Sequence, residues 1–464
     1  MLYRQLCSAQ DSNATVINFG LDQKISYGSL QKEINNTAAS LHKMGVGSGD
    51  RVLVQNSDLF SYLVGVFSAS KIGAIFIPID HDASPLRLKE IFSQTLPSAY
   101  IQSLNNIEYI KVKNDLSFET DGIAGIFFSS GSTGVPKGIP LSHDNLLYVA
   151  KELANICDLK ENHNELLIAR PTHMDGWQRI TATLYAGGTI SPRRAMSASM
   201  LLQELNISKA NGLYIPPFIA SSMPCSIPDF SSTSLRVVEL GSAAIASNIL
   251  SSITSSAPQA KVLYHYGLTE CSRATILDVK KDINAIHSCG SPLPHVAISI
   301  RNSHGQEIPS GEAGEIWLTG PQLAKSYWND AKLNREKYQD KWFKTGDIGS
   351  VDPNGFLYFQ GRADDLLCNK GFHFYPAEAE KELASILGIQ NFAYASNSDK
   401  YNPELLLFLE EGASLHFKEK IAEKISQSLS PIYHPDKIIF IEKIPRTSSG
   451  KIDRNTMHSL HKKS

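Results

Sequence analysis

The chain has 464 residues, 42% of them hydrophobic and 19% charged, so we expect a globular protein with more than one domain. A formal net charge of −2 provides no basic surface, which argues against binding to nucleic acid or an anionic membrane. The six cysteines lie apart without a CxxC pair, which argues against a zinc site or a disulfide framework and favours the reducing cytoplasm.

The first residues and the longest apolar stretch give no sign of export or membrane insertion. The start, MLYRQLCSAQDSN, lacks a basic region followed by an apolar run, so we expect no signal peptide. Lys71 and Gly73 interrupt the apolar stretch 59–80 before it reaches the ~20 residues that a spanning helix needs. We predict a buried helix, a turn at Gly73, a strand that ends at Pro78 and no integral membrane span.

Strands alternate with amphipathic helices over the first two thirds of the chain. One such helix comes before Gly45, a typical stop residue. Short apolar runs that are rich in β-formers occur at 51–56, 74–79, 125–130, 236–242 and 260–267. This alternation predicts an α/β architecture with largely parallel sheets.

The pattern changes twice towards the C-terminus. From residue 296 it becomes hairpin-like, with a turn at Asn354-Gly355. Beyond Arg362 a polar break and a helix initiated by proline follow, and they predict a small α+β domain. The expected domains are therefore 1–362 and 363–464.

The first motif that could carry chemistry is FFSSGSTGVPKG, at 127–138. A strand that leads into a Gly/Ser/Thr loop offers backbone N–H groups and hydroxyls, which suit a polyphosphate. It is not a Walker loop, because Pro136 replaces the second glycine and Gly138 follows the lysine. A flexible connector is the ordinary alternative, but Ser142 could cap a helix that starts near His143, which would place the loop between defined elements.

The second motif is YHYGLTE, at the end of an apolar run. Tyr266 offers an aromatic face for adenine, Thr269 a hydroxyl for a phosphate oxygen, and Glu270 a carboxylate for phosphate-bound Mg²⁺. The alternative is a strand that ends in a polar turn.

Two further segments each carry a charged candidate. Asp347 follows a Thr-Gly turn and could accept hydrogen bonds from two ribose hydroxyls, while Arg362 could reach the same sugar or a phosphate. They could equally be a turn cap and an interface residue. Lys451, in the loop IPRTSSGKIDR, is either a solvated surface lysine or a cation delivered to a developing negative charge.

Taken together and in this order, the four segments resemble the adenylate-forming superfamily, which includes acyl- and aryl-CoA ligases, adenylation domains of peptide synthetases and luciferases. The resemblance covers nearly the whole chain. It implies a large domain of layered α/β sheets with a distorted β-barrel, and a mobile C-terminal lid. It also implies a two-step reaction, in which a carboxylic acid and ATP with Mg²⁺ give an acyl adenylate and a thiol then displaces AMP.

The resemblance also implies site residues. Lys451 would neutralise charge in the transition state, Glu270 would hold Mg²⁺, and Asp364 would be the hinge of a domain rotation. Lys137 and Thr269 complete the expected catalytic set. The expected ATP and AMP ligands are Ser129, Ser130, Gly131, Ser132, Thr133, Gly134, Lys137, Gly241, Ser242, Ala243, Tyr266, Gly267, Thr269, Asp347 and Arg362.

The acid pocket is expected around RPTHMDGWQR and GLYIPPFIA, with His173 beside the carboxylate and Tyr214 in the wall. Asp175 could hold an ammonium group and Arg179 a second carboxylate. Alternatively both point to solvent, or they pair with each other at their i, i+4 spacing. Trp177 indicates a modest pocket rather than a long acyl tunnel.

The segment NKGFHFYPAEAE looks more like that of a CoA ligase than that of an amino-acid adenylation domain, although His373 stands where many relatives carry arginine. No carrier domain follows Lys451, so we expect a stand-alone enzyme that uses coenzyme A. The alternative is an enzyme that loads an amino, aryl or fatty acid onto the phosphopantetheine arm of a separate carrier protein. A non-catalytic nucleotide-binding homologue is a third reading, against which Glu270 and Lys451 argue.

Overall fold

The structure is a computed structural model. The residues that it describes are all except 9, 21–22, 111–119, 130–135, 195–196, 221–226, 370–371, 388–390, 397–403, 411–414, 447–451 and 461–464.

The strands of the described chain follow in order. They are β1 (Thr15–Asn18), β2 (Lys24–Ser26), β3 (Arg51–Asn56), β4 (Ile75–Asp80), β5 (Ala99–Ser103), β6 (Asn106–Tyr109), β7 (Ile123–Ser129), β8 (Lys137–Ser142), β9 (Asn164–Leu167), β10 (Thr189–Pro192), β11 (Gly212–Tyr214), β12 (Val237–Gly241), β13 (Lys261–Tyr266), β14 (Thr275–Asp278), β15 (Ser291–Pro292), β16 (Ala297–Arg301), β17 (Gly314–Thr319), β18 (Tyr338–Gln339), β19 (Trp342–Val351), β20 (Leu357–Arg362), β21 (Leu367–Asn369), β22 (Phe372–Phe374), β23 (Phe392–Ser396), β24 (Leu405–Glu410) and β25 (Lys437–Ile441).

The α-helices of the described chain lie between these strands, except α12, which follows the last one. They are α1 (Tyr27–Lys43), α2 (Leu59–Lys71), α3 (Pro85–Thr95), α4 (His143–Ile156), α5 (Met174–Tyr185), α6 (Ala198–Ser208), α7 (Pro217–Ala220), α8 (Ser247–Ser256), α9 (Ala331–Lys337), α10 (Pro376–Leu387), α11 (Leu415–Ser428) and α12 (Arg454–Leu460).

Two large sheets and their helices form the first layers. Among the described strands, the larger sheet has the order β15-β14-β13-β12-β11-β9-β10-β1-β2, and the smaller one has the order β6-β5-β3-β4-β7-β8. Neighbouring strands from β1 to β13 in the larger sheet, and from β5 to β7 in the smaller, are parallel. The predicted α/β architecture is therefore confirmed.

The sheets that follow are smaller. Strands β16 to β20 form an antiparallel five-stranded sheet, which corresponds to the distorted barrel. After β20 ends at Arg362, a 3₁₀ turn, Ala363–Asp365, leads to the pair β21-β22 and the sheet β23-β24-β25. The division at residues 362 and 363 stays a prediction.

The apolar stretch 59–80 folds as helix α2 followed by strand β4. Every residue from Leu59 to Ser70 except Phe60 is buried, because α2 packs inside the protein. Gly73 takes a φ of 77°, as a turn requires. The predicted end of the strand at Pro78 is wrong by two residues, since β4 runs on to Asp80 in parallel pairing with β3. Among the described residues, none of the helices combines the length and apolar character needed to cross a bilayer.

Candidate active site

The glycine- and serine-rich segment connects β7 to β8. These strands pair antiparallel with Ser129 opposite Lys137, so the two residues stand side by side at the base of the hairpin. Lys137 therefore begins a strand rather than lying within the loop. As predicted, Ser142 caps α4, in a reciprocal capping box with Asn145. The other predicted phosphate ligands lie outside the described residues; they are Ser130, Gly131, Ser132, Thr133 and Gly134.

The carboxyl ends of β12 and β13 carry Gly241 and Tyr266. We call the surface formed by these strand ends, together with Asp347 and Arg362, the nucleotide wall. A Cβ on Gly241 would lie 2.2 Å from Cε1 of His265, so only glycine fits there. The next residue, Ser242, has a φ of 65°, a left-handed conformation that costs a residue other than glycine about 1 kcal/mol. Ala243 continues the turn along the cavity described below. Ligands of parallel α/β sheets bind at this edge.

Asp347 is buried and links Tyr266, at the end of β13, to Arg362, at the end of β20. Its Oδ2 accepts a hydrogen bond from the Tyr266 hydroxyl at 2.6 Å, and its Oδ1 accepts one from Nη1 of Arg362 at 2.8 Å. The ring of Tyr266 also lies 5.9 Å from that of Phe359. Burial works to lower the pKa of Arg362, but the carboxylates of Asp347 and Asp364 outweigh it and raise that pKa. Three predicted nucleotide ligands are thus joined by two hydrogen bonds.

Glu270 follows β13 at the same edge and is buried. Its Oε1 accepts a hydrogen bond from the Tyr327 hydroxyl at 2.7 Å, whereas its Oε2 accepts none within the described chain. Mg²⁺ bound to nucleotide phosphates takes one or two carboxylates, so a buried carboxylate with one open oxygen fits that ion. Thr269 and Gly267 are half-buried between this carboxylate and β13.

A cavity of about 270 Å³ opens along this wall. The residues that line it include Ala243, Tyr266, Asp347 and Arg362, together with Arg446, Ile452 and Arg454 from the C-terminal part of the chain. Lys451 lies outside the described residues, but its chain neighbour Ile452 is in the cavity wall. One flank of the predicted lysine loop therefore borders the same space as the nucleotide ligands.

The predicted hinge residue, Asp364, lies exposed in the 3₁₀ turn after β20. Its Oδ1 accepts a hydrogen bond from Nε of Arg362 at 3.2 Å. The next residue, Asp365, instead contacts Nε of Arg454 at 3.6 Å, and burial raises the pKa of Asp365. Two adjacent carboxylates thus contact two different arginines, one at the end of β20 and one at the start of α12.

His173 precedes α5, in the segment predicted to border the acid carboxylate. Its Nε2 lies 3.3 Å from Oδ2 of Asp80, at the end of β4. Burial works to raise the pKa of Asp80, but His173, Thr172 and Arg170 outweigh it and lower that pKa to about 2. An ionised carboxylate therefore orients the imidazole.

Asp175 lies in the first turn of α5 and contacts the nucleotide wall. Its Oδ2 accepts a hydrogen bond from the Ser242 hydroxyl at 2.6 Å, and its Oδ1 accepts one from Nη1 of Arg273 at 3.0 Å. Burial works to raise its pKa, but His265 and Arg273 hold it well below the usual range. Tyr214 is buried next to this group, with its ring 6.0 Å from that of His265.

Trp177 requires a correction, because it lies in the core. Its side chain is fully buried. Its ring lies between 5.2 and 6.4 Å from four other aromatic rings, those of Tyr62, Phe67, Phe76 and Phe127. Trp177 thus packs the interface between α5 and the smaller sheet and does not report the size of an acid pocket.

Arg179 requires a second correction, since its guanidinium is fully buried and paired. It donates to Oε1 and Oε2 of Glu165 at 2.8 and 2.5 Å, and to Oε2 of Glu239 at 3.1 Å. Arg179 therefore does not face solvent and does not pair with Asp175. It is also not available for a second carboxylate of the substrate. The alternative in which Asp175 and Arg179 pair is also wrong, because Asp175 is held by Arg273 instead.

The sequence reasoning missed several residues around these groups, among them Glu165, Glu239, His265, Arg273 and Tyr327. Glu239 accepts from Nε of Arg273 at 2.7 Å and lies 2.8 Å from Nδ1 of His265, so it joins Arg179 to the Asp175 group. The available signal was a single charge in the apolar strand VVELG, since a buried charge requires a partner. Tyr327 lies far along the chain from Glu270, and no local signal pointed to their contact.

Known proteins are similar to this chain in sequence and in fold. Residues 4–119 and 102–328 match the family described as AMP-binding enzyme. Feruloyl-CoA synthase of Amycolatopsis sp is 25% identical over 95% of this chain and 94% of its own length. The 2-succinylbenzoate–CoA ligase of Bacillus licheniformis is 26% identical over 94% of this chain and 95% of its own. The structure of O-succinylbenzoate coenzyme A synthetase from Bacillus subtilis, in complex with ATP and magnesium, superposes with a TM-score of 0.83 at 22% identity and covers 98% of both chains.

Proposed function

The chain belongs to the AMP-binding enzyme family, and from that premise we propose that it is an AMP-forming acid–thiol ligase. In the first step, a carboxylate oxygen of the acid bonds to the α-phosphorus of ATP, the bond to the bridging oxygen breaks, and pyrophosphate leaves. In the second step, the thiol of coenzyme A releases its proton to solvent, its sulfur bonds to the acyl carbon, the bond from that carbon to the phosphate oxygen breaks, and AMP leaves. The observation that carries this proposal is the hydrogen-bonded group Tyr266–Asp347–Arg362 beside Glu270.

The residues of the nucleotide wall have separate roles in binding. Tyr266 packs against adenine, and its hydroxyl fixes Asp347, which keeps lone pairs free for the ribose hydroxyls. Arg362 neutralises that buried carboxylate. On this assignment the wall holds the nucleoside, while Ser129 and Lys137 at the hairpin base approach the phosphates.

The chemical step needs positioning and charge stabilisation more than it needs a base. Glu270 would hold Mg²⁺, which supplies charge neutralisation at the phosphates. Lys451 would approach the α-phosphate and the attacking carboxylate, a role supported by the position of Ile452 in the cavity wall. Thr269 would donate its hydroxyl to an α-phosphate oxygen.

Rotation about Asp364 would exchange the face that the C-terminal part presents to this cavity. Arg362 both contacts the hinge carboxylate and holds Asp347, so the turn is tied to the nucleotide wall.

We assign selection of the acid to His173, Asp175 and Tyr214. We also place the enzyme in the cytoplasm, because Cys7, Cys157, Cys271 and Cys289 are free and buried thiols.

The central experiment is acid-dependent exchange of labelled pyrophosphate into ATP over a panel of aryl, short, medium-length, dicarboxylic and amino acids. The best acid is then offered with coenzyme A or with a holo carrier protein. Thioester formation with coenzyme A supports the proposal. Exclusive transfer to the carrier supports the alternative acceptor, and nucleotide binding without any exchange supports the non-catalytic homologue.

Two variants separate the half-reactions. Lys451→Ala should slow pyrophosphate exchange by about 10³-fold, since it removes one stabilising charge, while added acyl adenylate still reacts with the thiol. Asp364→Pro should instead spare exchange and block thioester formation, because proline restricts the turn. An equal loss of both steps in both variants would contradict the rotation.

A further inference from the structure

We infer that Tyr327 is a positioning residue for the metal carboxylate Glu270, and that its hydroxyl determines which carboxylate oxygen faces the Mg²⁺ of the bound nucleotide. This inference rests on the proposed function, which assigns the metal to Glu270. Both side chains are buried, and the hydroxyl donates to Oε1 at 2.7 Å. The bond occupies one oxygen and leaves Oε2 for the ion.

Tyr327 is itself held firmly from two directions. Its backbone N–H donates to Oδ1 of Asn334 at 2.6 Å, and its carbonyl accepts from Nδ2 of the same side chain at 3.1 Å. Its ring packs edge-on against Tyr338 and near Phe343, with centroid distances of 6.0 and 6.5 Å. The position of the Tyr327 hydroxyl is therefore restrained, and it can orient a carboxylate.

The backbone of Glu270 is tied to the same segment. Its carbonyl accepts a hydrogen bond from the N–H of Ala324 at 2.8 Å. The carboxylate is thus fixed to the segment 324–327 at both ends, through the main chain and through the Tyr327 hydroxyl.

Tyr338 provides a matched control. It is half-buried in the same aromatic group, and its buried hydroxyl oxygen has no hydrogen-bond partner among the described residues. Tyr327→Phe and Tyr338→Phe remove the same atom from neighbouring rings, and only the first removal frees Glu270. A role in packing alone predicts that the two variants behave alike.

The test measures metal and nucleotide affinity separately, without turnover. Mn²⁺ is titrated by electron paramagnetic resonance against enzyme saturated with α,β-methylene-ATP, which cannot be split at the α-phosphate. AMP affinity is measured by calorimetry in EDTA. We expect Tyr327→Phe to weaken Mn²⁺ binding about 10-fold, as loss of an outer partner of a metal ligand typically does, and to leave AMP affinity unchanged. Tyr338→Phe should change neither.

A double-mutant cycle shows whether Tyr327 acts through the carboxylate. In a Glu270→Gln background, Tyr327→Phe should cause no further loss of Mn²⁺ affinity, because the group that it orients no longer binds the ion. Equal losses of Mn²⁺ and AMP affinity in Tyr327→Phe would show a general structural role and overturn the inference, as would unchanged Mn²⁺ affinity. If wild-type enzyme with nucleotide binds no Mn²⁺, the metal role of Glu270 fails, and the inference fails with it.

Discussion

The nucleotide wall and the buried charge cluster meet at Ser242, but their polar groups are used differently. In the wall, Asp347 accepts one hydrogen bond on each oxygen and retains lone pairs at the edge of the cavity. In the cluster, charged side chains mainly bind one another; its members are Glu165, Asp175, Arg179, Glu239, His265 and Arg273. A group that binds a ligand keeps some hydrogen-bonding capacity free, whereas a structural group satisfies its hydrogen bonds and charges within the protein.

The largest expected effect comes from breaking the cluster at its most buried member. Arg179→Met should lower the free energy of unfolding by about 3–5 kcal/mol, because Glu165 and Glu239 lose their shared partner. Urea denaturation measures this loss. The matched control, Arg170→Met, removes a partly exposed arginine paired with Asp82 and should cost less than about 1 kcal/mol. Similar losses of unfolding free energy in the two variants would contradict the expected difference between buried and surface ion pairs.

The complementary change on the nucleotide wall should reduce binding rather than stability. Asp347→Asn keeps the shape of the side chain and removes its charge, which should weaken AMP binding by about 2 kcal/mol, or roughly 30-fold. Calorimetric titration with AMP measures it. Asp352→Asn, in the exposed turn between β19 and β20, should leave AMP affinity unchanged. A large stability loss with unchanged affinity in Asp347→Asn would place Asp347 with the structural group.

Asp175 tests the boundary between the two regions. It belongs to the cluster through Arg273, yet it also holds Ser242 in the cavity wall. Asp175→Asn should raise the KM for the preferred acid about 10-fold and change AMP affinity much less, because the proposed function assigns Asp175 to selection of the acid. Pyrophosphate exchange at varied acid concentration measures the first and calorimetry the second. Equal changes in both would assign Asp175 to the nucleotide wall.

The last prediction concerns the pH dependence of stability. The pKa of Asp80 is lowered to about 2 in the folded protein, so its contribution is present above the ordinary pKa near 4 and is lost as the pH falls towards 2. The difference in unfolding free energy between wild type and Asp80→Asn should be about 2 kcal/mol at pH 6 and should shrink below pH 4. Denaturant unfolding from pH 6 to pH 3 tests this sign. A difference that grows on acidification would contradict it.

Much of the fold could be predicted because its signals are local. The run 51–56 coincides with β3, and Ser142 caps α4 as its position before His143 indicated. The sequence places Gly241 in the nucleotide site, which stays a prediction; the structure shows why a glycine stands there, since the imidazole of His265 fills the space of a side chain. The end of β4 was missed because parallel pairing with β3 carries the strand beyond a proline.

The sequence by itself determined the class of chemistry, since a nucleotide site needs particular residue types at the ends of strands, and those residues lie in short contiguous motifs. Only the tertiary structure decided which charges are free. Arg179 and Asp175 stand four residues apart on one helix, yet each found its partner on a different strand or turn. Burial makes an unpaired charge costly, so long-range packing, not spacing along the chain, determined these partners.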